Sequence, residues 1–125
     1  MSDAQTLEYQ LDRITDDLQH LETEHLPAQG IIFGKPCDCI SKASRSLRFH
    51  SQETIPIAAR QGKDTRIFAD MASWADRLVR IGTAEEVATG QYNDVFLKAA
   101  GEASNFRKAV NQYAIECKPC AAAAK

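Results

Sequence analysis

Leu7, Leu11, Ile14, Leu18 and Leu21 follow one another at intervals of 4, 3, 4 and 3 residues. That spacing lines branched apolar side chains along one narrow stripe of an α-helix and along no consistent face of a strand. A chain carrying such a stripe has to cover it with further helices, and the series continued by one step brings His25 onto the same line. The sequence predicts a first helix over residues 3–26. Ser2 and Gln5 are spaced as a capping box at its start, and Pro27 stops it just past Leu26.

Two of the following segments repeat the pattern. Ile67, Phe68, Met71, Ala72, Trp74, Ala75, Leu78, Val79 and Ile81 form a broad apolar stripe after a cap at Asp64 or Thr65. Tyr92, Phe96, Ala99, Ala103, Phe106, Val110, Tyr113 and Cys117 keep the four-three spacing over a last helix from Gln91 to Cys117. Between the first helix and these, a helix starting near Pro36–Asp38 has a weaker line of Ile40, Ala43, Leu47, His50 and Thr54. Pro56 kinks or ends it, and Gln61-Gly62-Lys63 reads as a turn. Thr83-Ala-Glu-Glu86 is a capping box that starts one short extra turn ending at Gly90. No segment alternates with period two, and no hairpin dipeptide occurs. The expected fold is all-α: an antiparallel four-helix bundle with one short extra helical turn between helices 3 and 4. Residues 1–120 form its single domain, and 121–125 are a low-complexity tail expected to fray.

Composition limits the class further. Of 125 residues, 44% are hydrophobic and 26% charged, enough for one buried core without staples. The longest apolar run, Ile31-Ile32-Phe33, is far too short to span a bilayer. The acidic, polar start lacks the basic and apolar stretches of a secretory signal, so a cytoplasmic address is expected. Residues 1–34 hold seven acids and one base, whereas residues 35–66 hold seven bases and three acids. This places an acidic first helix beside a basic second one. Lys42, Arg45 and Arg48 share one face of helix 2 and read as a solvated surface. With no aromatic interleaved and a pI near 5.9, nucleic acid is not the expected partner.

All four cysteines fall in two tight pairs, Cys37 with Cys39 and Cys117 with Cys120, each within a repeated Lys-Pro-Cys tripeptide. Thiolates in such pairs are the commonest structural cage for zinc, and iron–sulfur chemistry uses the same ligands. Disulfides, or separate thiols with no joint role, fit the spacing as well. Three helical passes separate the pairs, which puts them at opposite ends of an up-down bundle. A metal shared by all four is then expected between two copies of the chain rather than within one. Redox catalysis through the Cys117/Cys120 motif is disfavoured, because the negative end of a helix dipole opposes thiolate formation; Cys37 and Cys39 are better placed at a helix start.

Glu22-x-x-His25 has the spacing of a carboxylate-bridged di-metal bundle, but its second copy is missing, since His50-x-x-Glu53 runs in reverse order. His25 and His50 are expected to be structural imidazoles on their helix seams. No phosphate-binding glycine loop, nucleophile elbow or zinc-protease helix is present in the sequence. The expected function is that of a small non-catalytic bundle that self-assembles or binds a partner. Homo-oligomers would form through helix 1 or the cysteine-bearing ends, stabilised by zinc or a disulfide. A thiol- or metal-dependent redox protein is the alternative.

Overall fold

Ser2 opens the first helix as its spacing with Gln5 predicts. The Gln5 backbone N–H donates to Ser2 Oγ (3.2 Å), and the Ser2 backbone N–H donates to Gln5 Oε1 (3.0 Å). Two of the donors that every helix start leaves unsatisfied are thereby paired. The structure, a computed structural model, describes residues 2–27, 38–83 and 89–123, with side chains over 2–27, 39–80 and 95–116. Its helices are α1 (Asp3–His20), which continues through a π-helical turn (Leu21–His25), α2 (Asp38–Arg60), α3 (Arg66–Thr83) and α4 (Thr89–Ala123). They pack as an all-α four-helix bundle, antiparallel in succession, as the periodicities require. The expected extra turn near residues 84–88 lies outside the described residues, as does Ile31–Phe33.

All five residues of the α1 stripe are buried, with Ile14, Leu18 and Leu21 fully so. Beyond Leu21 the strict series would place His25 in the core. Instead the backbone widens into the π turn, closed by a Leu26 N–H to Leu21 C=O bond. This i→i+5 register substitutes Leu26, 0% exposed, for His25, which stays half-buried at the surface. Burying a leucine stabilises by about 1.5–3 kcal/mol, and no imidazole has to be desolvated. The side-chain preference of two adjacent residues accounts for the irregular turn.

Pro56 neither ends nor interrupts α2. Proline removes the hydrogen bond that would reach Gln52 C=O, and both residues lie on the exposed face, where water can take over that carbonyl. The helix stops instead at Gly62, whose φ of +69° is the left-handed conformation that suits glycine. Lys63 N–H bonds Ala58 C=O and Gly62 N–H bonds Ala59 C=O, both at 3.0 Å, the paired bonds of a Schellman cap. Asp64 then accepts from the Arg66 backbone N–H at 2.9 Å and from the Arg66 guanidinium, starting α3. This Arg66 side chain is the largest influence holding the Asp64 carboxyl down at about 2.

Side-chain size sets how closely neighbouring helices approach. The buried line of α2 is Ile40, Ser44, Leu47, Ser51, Thr54, Ile57 and Ala58, not the Ala43 and His50 line that apolarity alone predicts. α2 brings the small residues Ser44, Ser51 and Ala58 to the core, α3 brings Ala72 and Ala75, and α2–α3 is the most extensive helix contact. Between α3 and α4 aromatic rings fill the seam. Phe68 meets Tyr113 edge-on at 5.0 Å, and Trp74 meets Phe106 at 5.3 Å. α4 also packs on α1, so each terminal helix contacts the other. α4 runs on through residue 123, and alanine is the strongest helix former.

Candidate functional site

The cysteines lie at two poles. Cys39 occupies the first turn of α2, half-buried against the core and disulfide-bonded, so its sulfur is not a free thiol. Cys37 lies outside the described residues. Cys117 and Cys120 fall in the last turns of α4 rather than after its end, and their side chains too lie outside the described residues. The preceding residue Glu116 lines a groove with Lys63 and Asp64, beside the α2–α3 turn. Cys39 stands about 30 Å up α2 from that turn, at 1.5 Å per residue. The two cysteine-bearing segments are thus at opposite ends of one chain, as the count of helical passes implies. Among the described residues, no group of three or more metal-ligating side chains converges on a point.

A ladder of polar contacts joins α1 to α2. Asp3, Gln10 and Asp17 recur every seven residues and meet Arg60, His50 and Ser46. Asp3 forms a two-pronged pair with Arg60 (2.9 and 3.1 Å), and this hydrogen-bonded guanidinium lowers the Asp3 pKa. Gln10, buried, has its Oε1 2.7 Å from His50 Nδ1, so a carbonyl acceptor makes Nδ1–H the donor. Ser46 Oγ donates to Asp17 at 2.7 Å. Burial nevertheless dominates at Asp17 and raises its pKa, against the Ser46 hydrogen bond and the His50 charge. These rungs hold the acidic helix against the basic one in a single register, the arrangement expected from charge distribution. His50 therefore belongs to the α1–α2 seam as a structural imidazole and offers no converging ligand set.

Glu22 is likewise accounted for. Its carboxylate takes two hydrogen bonds from the Arg107 guanidinium of α4, which hold its pKa below the usual carboxylate range. The ion pair bridges a shallow polar groove of about 230 Å³ between α1 and α4, walled by Thr15, Gln19, Thr23 and Asn111. A carboxylate clamped by arginine at the bundle surface cannot serve as a core metal ligand, so Glu22-x-x-His25 is not half of a di-metal centre. Arg48 of the basic face bonds Asp76 of α3 at 2.7 Å, while Lys42 and Arg45 are exposed. The larger groove, about 390 Å³, lies between Lys63, Asp64 and Ile67 on one side and Gln112, Tyr113 and Glu116 on the other. Both grooves are open.

One cluster escapes a reading of the sequence by periodicity. His20 Nδ1 lies 3.0 Å from Glu24 Oε2, and the His20 and His25 rings stack with centroids 6.1 Å apart and planes inclined by 27°. On a regular α-helix, residues five apart point about 140° away from one another. The π turn alone makes them neighbours. No protein-family model matches the chain, and no curated protein or solved structure matches it.

Proposed function

We propose that this protein is a non-catalytic helical bundle that assembles through its cysteine-bearing ends, with zinc or a disulfide closing the contact. The observation that carries the reading is the separation of the pairs along the rod: Cys39 at the start of α2, and Cys117 just past Glu116 beside the α2–α3 turn. Zinc–sulfur bonds are about 2.3 Å, so sulfurs from both ends reach one ion only when a second copy supplies the missing pair. The leucine stripe of α1 is consumed by its own chain's core, which moves the weight of the proposal from helix 1 to the helix ends.

The competing reading is a thiol-dependent redox protein. It is favoured by one feature: Cys39 sits in the first turn of a helix, where the dipole would stabilise the thiolate released when its disulfide is reduced. Elemental analysis of the purified chain, combined with its mass in solution with and without reductant and chelator, separates the readings. Assembly predicts a multimer that dissociates when zinc is removed or the disulfide reduced. A monomer under every condition, with four freely titrating thiols, refutes it. A monomer that turns over a disulfide substrate supports the redox reading.

A further inference from the structure

We infer that the π turn at the end of α1 builds a surface chelate for a divalent transition-metal ion, with His20 and His25 as ligands and Glu24 as the group that orients His20. The inference is independent of the cysteines. It rests on three features of one turn.

The first is register. The i→i+5 bond of the π turn carries His25 round to the face of His20, and their ring centres lie 6.1 Å apart. An imidazole nitrogen sits about 1.2 Å from its ring centre and about 2.1 Å from a bound zinc, so two rings sharing a tetrahedral ion lie about 5.4 Å apart. The observed spacing exceeds this by less than 1 Å, and the two stacked rings would turn about their side-chain torsions to converge their nitrogens on one ion.

The second is the state of His20. Glu24 as a carboxylate only accepts, so the 3.0 Å contact places a proton on Nδ1, and in the neutral ring the lone pair then lies on Nε2. A carboxylate behind one ring nitrogen is the usual support for a histidine that binds metal through the other. The third is access. The side chains of His20 and Glu24 are 56% and 59% exposed, and His25 is half-buried, so solvent supplies the ion and water its remaining positions. With two protein ligands, the site is smaller than the groups of three that the described residues lack. Neutral imidazole nitrogens favour zinc, copper and nickel over calcium or magnesium.

The chain has three histidines, and His50 on the α1–α2 seam is a built-in control. Adding zinc chloride to the isotope-labelled full-length chain, and following the imidazole carbon–proton resonances, tests the site without interference from thiol binding elsewhere. The expected result is that His20 and His25 signals shift together with one midpoint while His50 stays in place. His20→Ala should weaken the zinc response of His25 at least tenfold, and Glu24→Gln should weaken the pair's midpoint about tenfold. Circular dichroism of each variant confirms that the fold is retained. Separate midpoints for His20 and His25, movement of His50 with them, or unmoved histidine signals at saturating zinc would each overturn the proposal.

Discussion

Ser44 and Ser51 are both 0% exposed on the core line of α2, and neither hydroxyl has a hydrogen-bond partner. Replacing either by alanine should therefore stabilise the protein. An unpaired buried polar group costs about 1–3 kcal/mol, and alanine is the better helix former by about 0.5 kcal/mol. Against these gains stands a void the size of one oxygen atom, with its lost dispersion contacts. The expected net gain is about 1–2 kcal/mol for each substitution. For a domain of this size, unfolding entropy of about 2.1 cal/mol/K per residue converts that to a Tm rise of about 4–8 °C. Thermal and urea unfolding followed by circular dichroism measure it. Ser73→Ala, on the exposed face of α3, isolates the propensity contribution and should give about 2 °C. Ser46→Ala removes the donor to Asp17 and should destabilise by about 1 kcal/mol. If Ser44→Ala and Ser51→Ala gain no more than Ser73→Ala, or lose stability, the hydroxyls are satisfied and the account of the α2 core is wrong.

Three further substitutions probe other joints. Gly62→Ala meets open space but must hold φ at +69°, so it should cost about 1 kcal/mol in urea unfolding, all of it conformational. Trp74→Ala should cost about 3–5 kcal/mol and broaden the Phe106 ring resonances, because the indole fills the space between α3 and α4. Asp17 has its pKa raised by burial, so its protonated form is the one folding favours. The stability it gives is present below its unfolded value near 3.8 and is lost as pH rises through the folded value. Asp17→Asn, which keeps an acceptor for Ser46, should raise the urea midpoint at pH 7 and leave it unchanged at pH 3.

The helix count, the antiparallel order and most of the core could be read from residue spacing, because leucine and aromatic side chains at four-three intervals have one stable use. The seam of α2 could not. Apolarity ranks Ala43 and His50 above Ser44 and Ser51, yet the serines are buried and His50 is held at the α1 seam by Gln10. Which face of α2 turns inward is set by the helices it packs on and leaves no mark on α2 itself. The π turn was missed for a related reason: a strict series names His25, while the choice between His25 and Leu26 depends on which side chain loses less on leaving water. Weighing His25 against its apolar neighbour is the signal that could have found it, and with it the His20–His25 pair. Helix parity depends only on counting passes, and it agrees with Cys39 at the start of α2 and Glu116 beside the α2–α3 turn.

The contrast between a seam of small side chains and one of edge-on and tilted rings has a kinetic consequence. α2 and α3 are sequence neighbours joined by the five-residue reversal at 61–65, so their pairing costs little chain entropy and should nucleate folding. The last helix lies against the first, far away in sequence, and should dock late and detach early. Amide protons of α4 would then exchange with solvent through partial openings that leave the central hairpin shut. A protease reaching the molecule would meet that outer helix loosened while the interior pair still holds.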